Sequence, residues 1–246
     1  MSNDLARSDG VSASPDVSIA DAERLLSAGN LPDALLILAD AERRFPERAD
    51  IPLAASRVLL IASDYRAARD AAERAIALAP DRPEGYVNAG AAAVYLADYA
   101  RARPLLQRAI ALDGSDPFAR YRYAQALLQS ASPDDAIRAT AQATVALAFI
   151  ARGICDARGI PSELSERFVG LTLTLLATCA PHLSNDRTPP ELMAIAHAAA
   201  ALTDGKRARA ATYLDDAPSP SDASDDDAVA AQDAIVLLRA RIWQRR

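Results

Sequence analysis

A period of 34 residues constrains this chain more than any other feature. Two series of alanines recur at that step, and so do the residues that separate helical segments. The two series are Ala34, Ala68, Ala102 and Ala136, and Ala41, Ala75, Ala109 and Ala143. The units in register are residues 15–48, 49–82, 83–116 and 117–150. The period predicts a repeat protein rather than a chance alanine-rich bundle.

Each unit is predicted to form two helices. In the third unit the first helix spans 84–96 and the second spans 100–112. Asp64 and Asp98 precede second helices, where a carboxylate can accept hydrogen bonds from free backbone N–H groups and suits the helix dipole. Pro80 cannot continue a helix, so it marks the end of the second unit.

Alanine fills 58 of the 246 positions, whereas aromatic residues make up only 5% of the chain. Alanine is the best helix former and lets helix axes approach closely. Gly90, Ala102 and Ala109 are expected where helices touch, because a larger side chain would push the helices apart. A GC-rich bacterial genome also favours alanine and arginine codons, and Lys206 is the only lysine. The recurrence of alanines every 34 residues indicates that helix packing, and not codon usage alone, explains part of the high alanine content.

These units resemble the tetratricopeptide repeat family. In the third unit the resemblance rests on Tyr86, Gly90, Tyr99, Ala102 and Ala109. The fourth unit departs from the pattern, because no proline follows its second helix. The resemblance covers residues 15–150 and implies an all-α fold, an α-solenoid of helix-turn-helix repeats with a helical C-terminal cap. It also implies that first helices line a concave groove that holds a peptide or a partner helix.

The regions outside the repeats are predicted from composition and pattern. Residues 1–14 are small and polar, which predicts a disordered N-terminal tail. Residues 151–214 predict a helical extension with a possible degenerate fifth repeat, and its helix over 162–180 is apolar on most faces, so it is expected to be largely buried. Residues 215–227 predict an acidic flexible linker. Residues 228–246 predict an amphipathic helix that caps the repeats, fills the groove, or docks on a partner or a second copy.

Composition excludes several classes of function. The net charge of −6 argues against nucleic acid and anionic lipid as partners, and no apolar run is long enough to cross a membrane. Two cysteines cannot form a disulfide framework, which fits a reducing compartment such as the bacterial cytoplasm.

No catalytic, cofactor-binding or metal-binding motif is recognisable, so we expect no enzyme activity and no cofactor. His182 and His197 do not have metal-ligand spacing with Cys155 or Cys179. Nearby arginines could lower the pKa of Cys155, although a structural thiol is the simpler interpretation.

The resemblance places the partner-binding groove on the first helices. The groove residues are predicted to be Leu53, Arg57, Leu60, Val87, Val94, Tyr95, Phe118, Tyr121, Arg122 and Gln125. Because this set is mainly apolar and aromatic, it predicts an apolar or amphipathic segment of a protein partner as the ligand. The alternative is that these residues only pack one repeat on the next.

The leading hypothesis is therefore a non-catalytic interaction module that acts as a scaffold, an adaptor or a chaperone-like protein. Three alternatives stay open. The chain could be an accessory subunit of an enzyme such as a glycosyltransferase or another biosynthetic complex. It could be a secretion-system chaperone. It could also be a self-assembling structural protein, which associates through its C-terminal helix.

Overall fold

The computed structural model describes residues 14–130, 132–184, 186–217 and 226–243. Within these residues the fold is all-α and contains no strand. The chain divides into two compact units, residues 1–92 and 93–246. Of the predicted N-terminal tail only Ser14 is described, and most of the predicted acidic linker also lies outside the described residues. No helix among the described residues is long and apolar enough to cross a membrane.

The first unit contains two complete helix pairs and most of a fifth helix. Its helices are α1 (Pro15–Ser27), α2 (Leu31–Arg44), α3 (Asp50–Ile61), α4 (Tyr65–Leu78) and α5 (Pro83–Tyr95), whose last three residues belong to the second unit. Each of α1 to α4 packs on its neighbour in sequence. Ser56 and Asn88 link α3 to α5 through a hydrogen bond of 2.7 Å, in which the Asn88 amide donates to the Ser56 hydroxyl.

The second unit contains the remaining repeats and the C-terminal extension. Its helices are α6 (Tyr99–Leu112), α7 (Pro117–Leu128), α8 (Pro133–Ala151), α9 (Ile154–Ala157), α10 (Ser162–Cys179), α11 (Pro190–Thr203), α12 (Arg207–Asp215) and α13 (Asp226–Trp243). A single apolar core joins residues from most of these helices. Both the repeat helices α7 and α8 and the extension helices α10 to α13 contribute side chains to it.

The two alanine series lie where the sequence predicts close helix contacts. All eight alanines are buried: Ala34, Ala41, Ala68, Ala75, Ala102, Ala109, Ala136 and Ala143. At these positions a methyl group fills the available space, so larger side chains are excluded by packing. The alanine excess is therefore partly a packing requirement, as the 34-residue step predicts.

The turns inside the repeats also recur every 34 residues. Asn30, Asp64 and Asp98 each accept a hydrogen bond from the backbone N–H three residues later, which caps the second helix of the repeat. For Asp64 and Asp98 this confirms the predicted caps. The residue before each cap has a positive φ, namely 78° at Gly29, 62° at Ser63 and 57° at Ala97. The left-handed conformation suits glycine, so two of the three turns store strain at a residue with a Cβ.

Ala97→Gly is expected to raise the free energy of unfolding by about 0.5–1 kcal/mol, because glycine removes the clash of Cβ in the left-handed region. Ala100→Gly, three residues later and inside α6, is the matched control. It is expected to lower stability by at most about 1 kcal/mol, since glycine has a lower helix propensity than alanine and Ala100 lies in the first turn of α6. Denaturant unfolding of both variants measures the two shifts, and equal signs would contradict the strained turn.

The C-terminal helix α13 packs within its own chain, against α8, α11 and α12. Ala231, Ile235, Leu238 and Ile242 form the buried face of α13, and they lie in the core of the second unit. These four residues belong to the apolar stripe by which the sequence predicts an amphipathic helix, and the fifth member of the stripe is Ala228. In this structure the stripe is covered by helices of the same chain.

Candidate functional site

The predicted groove residues divide between the two units, with four in the first and six in the second. In the first unit Leu53 is buried, and Leu60 and Val87 are half-buried. Arg57 is exposed and forms an ion pair of 2.5 Å with Glu23. In the first unit the predicted residues thus include one buried side chain and one surface ion pair that joins α3 to α1.

In the second unit four of the six predicted residues form one polar and aromatic cluster. The guanidinium of Arg122 lies over the ring of Tyr95, with 4.6 Å between the guanidinium carbon and the ring centroid, and it is 5.5 Å from the Tyr121 ring. Arg122 donates to the Tyr95 hydroxyl at 2.7 Å and to Gln125 Oε1 at 3.0 Å. Gln125 donates in turn to the Tyr121 hydroxyl at 3.1 Å. Stacking and hydrogen bonding together hold Arg122 in one orientation.

Phe118 and Tyr121 also contact α10, a helix that the groove prediction did not include. The ring of Phe168 lies 4.4 Å from that of Phe118 and 5.2 Å from that of Tyr121, measured between centroids. Tyr121 is 6% exposed, and burial raises the pKa of its hydroxyl. Val94 packs at the edge of the same core. The repeat helix α7 and the extension helix α10 thus share one aromatic contact.

The three aromatic residues of this contact line a cleft of about 450 Å³ between α7 and α10. Its apolar lining consists of Phe118, Tyr121, Ile160, Pro161, Leu164, Phe168 and Leu171. Two arginines, Arg122 and Arg167, also line it. A cleft of this volume with a mostly apolar lining and a few polar groups is typical of a binding site.

The side chains that α10 contributes were not predicted as site residues, because this helix was expected to be largely buried. Phe168 is buried, but Leu164 is 54% exposed and Leu171 is 46% exposed. The signal was present in the sequence, since Leu164, Phe168 and Leu171 are spaced four and three residues apart and so share one helix face. The sequence did not indicate that this face of α10 is left only partly covered by neighbouring helices.

No group of three or more potential metal ligands occurs in the described part of the chain. Cys155 and Cys179 are both free and buried. Burial raises the pKa of the Cys179 thiol to about 11, which favours the unreactive protonated form. His197 stacks on Tyr213, with 5.2 Å between the ring centroids. Burial and ring stacking thus give structural roles to Cys155, Cys179 and His197, three of the four residues considered as candidates for chemistry.

Comparison with known proteins agrees with the repeat architecture. Residues 93–147 match the family model of the tetratricopeptide repeat. No curated protein matches the chain. Among solved structures, a tetratricopeptide repeat protein from Parabacteroides merdae is similar over 92% of this chain and 86% of its own, with 12% identity and a TM-score of 0.50.

Two structures of MamA are similar at the same TM-score of 0.50. The crystal structure of the MamA protein is 17% identical and aligns with 68% of this chain and 94% of its own. The MamA RS-1 ArsTM double mutant is 18% identical and aligns with 65% of this chain and 93% of its own. At this level of identity the likeness concerns the fold alone.

Proposed function

Because this chain is a tetratricopeptide repeat protein, we propose that it is a non-catalytic interaction module that holds an apolar or amphipathic segment of a partner protein. The observation that carries the proposal is the cleft between α7 and α10, where Leu164 and Leu171 are exposed beside buried aromatic rings. When a partner covers apolar side chains on a concave surface, their removal from water lowers the free energy of the complex.

The cleft joins a repeat to the extension, so it differs in part from the groove that the resemblance implies. Phe118, Tyr121 and Arg122 belong to both the predicted groove and the cleft. We propose that these three residues, with Leu164 and Leu171 of α10, form the primary contact surface. The remaining predicted groove residues would contribute secondary contacts or only pack one repeat on the next.

Leu171→Glu is expected to abolish partner capture, because it places a charge where the partner's apolar side chains would be buried. Since Leu171 is already half exposed, the change should leave the free energy of unfolding within about 0.5 kcal/mol of the parent value. The measurement is quantitative mass spectrometry of proteins retained by the immobilised full chain from a lysate of the organism that encodes it.

Leu36→Glu is the matched control, since Leu36 is 69% exposed on α2 and takes no part in the cleft. The proposal expects at least one protein that the wild type and Leu36→Glu retain about equally and that Leu171→Glu releases. It is contradicted when every retained protein binds Leu171→Glu as well as it binds the wild type, or when nothing is retained specifically.

We propose the bacterial cytoplasm as the compartment, supported by the composition and by two cysteines that form no disulfide.

A further inference from the structure

The cleft carries positive charge that the rest of the described chain does not neutralise. Arg122 and Arg167 both line it, and within the described residues neither forms an ion pair. Other arginines of the same unit do form ion pairs. Arg158 pairs with Asp113 at 2.5 Å, and Arg241 pairs with Glu166. The two arginines therefore leave cationic groups beside an apolar surface, although the net charge of the whole chain is −6.

Arg122 is prepared to receive a carboxylate. Its stacking on Tyr95 and its hydrogen bonds to Tyr95 and Gln125 use neutral partners and occupy one N–H on each terminal nitrogen. A guanidinium has five N–H donors in a planar fork, so donors remain for a bidentate pair with a carboxylate. Since the group is already held in place, such a pair would cost little side-chain entropy.

Arg167 lies on the opposite wall of the cleft, on α10. It is exposed, and Glu163 one helical turn before it forms no ion pair with it. It lies between Leu164 and Leu171 along α10, and these two residues and Phe168 line the cleft with it. The two walls therefore each present one arginine beside apolar side chains.

We infer that the cleft recognises an acidic amphipathic segment of a partner protein, with apolar side chains seated between α7 and α10 and carboxylates paired with Arg122 and Arg167. This inference rests on the proposed function and specifies the chemistry of the partner. A polypeptide segment fits better than a small fatty acid, because the apolar lining continues onto the exposed face of α10 rather than closing around a ligand.

The test is a binding selection, in which the full-length protein enriches peptides from a displayed library of amphipathic sequences. The peptides carry leucine or phenylalanine at helical spacing and Glu, Gln or Lys at the flanking positions. The wild type is expected to enrich Glu peptides over their Gln counterparts by about tenfold or more, as hydrogen bonds to charged groups contribute more than neutral ones. The enrichment should fall as salt is added.

Charge reversal makes the test specific to the two arginines. Arg122→Gln with Arg167→Gln is expected to remove the preference for Glu, and Arg122→Glu with Arg167→Glu is expected to replace it with a preference for Lys. Arg108→Gln is the matched control, since Arg108 is an exposed arginine of α6 that does not line the cleft. Arg167→Gln alone changes only an exposed side chain and keeps the test valid if the Arg122 variants fail to fold.

Equal enrichment of Glu and Gln peptides would overturn the inference. It would also be overturned if lauric acid displaced the Glu peptides and if their binding did not depend on their apolar residues. Enrichment that requires self-association of the chain, seen by light scattering, would overturn it too. If charge has no effect but Leu171→Glu still releases a partner, only this inference fails. If no binding depends on Leu171, the proposed function fails as well.

Discussion

Leu238→Ala is expected to lower the free energy of unfolding by about 2–5 kcal/mol. Leu238 is fully buried in the core of the second unit, on the face of α13 that packs against α8 and its neighbours. Removing its side chain would leave a cavity that the surrounding helices can fill only in part. Equilibrium unfolding in urea, followed by circular dichroism, measures the loss.

Val236→Ala on the same helix is the matched control, because Val236 is 54% exposed. Its effect should stay within about 0.5 kcal/mol. Similar small effects for both variants would mean that α13 does not pack on the core, and the C-terminal helix would then be available for a partner or a second copy. A large difference supports its role as part of the folded unit.

Ala102→Leu is expected to destabilise the protein by about 1–3 kcal/mol, because the extra methylene groups must enter a contact that is already closely packed. Ala102 belongs to the series repeated every 34 residues and is fully buried. Alanine and leucine have similar helix propensities, so the change probes packing rather than helix formation. Thermal and denaturant unfolding provide the measurement.

Ala100→Leu, two residues away on the exposed side of α6, serves as the comparison. It should change stability by less than about 0.5 kcal/mol. If Ala102→Leu were as well tolerated as Ala100→Leu, the alanine series would reflect codon usage and not the distance between helices.

Much of the repeat region could be predicted from the sequence because its determinants are local and periodic. Asp64 and Asp98 act on backbone groups within three residues, and Ala102 and Ala109 recur at the step that brings helices together. Local rules therefore sufficed for the helix pairs and their caps. The left-handed conformation of Ala97 was not apparent, because alanine gives no sign of a positive φ.

The site was only partly predictable because it depends on a helix outside the repeats. Tyr121 and Phe118 were predicted as groove residues, but their contact with Phe168 arises from the way α10 packs on α7. The pattern of α10 shows an apolar face without showing what covers it. Likewise the stripe containing Leu238 predicts burial, whereas its packing against α8 is set by tertiary structure.

The most direct test of the central claim is photo-crosslinking from the cleft. A photoreactive amino acid replaces Leu171 in one variant and Leu36 in another, and both full-length proteins are irradiated with the partner mixture. We expect a partner peptide with apolar residues to be joined to position 171 and absent from position 36. Crosslinks of equal yield at both positions, or none at position 171, would contradict the claim that the cleft between α7 and α10 holds a partner.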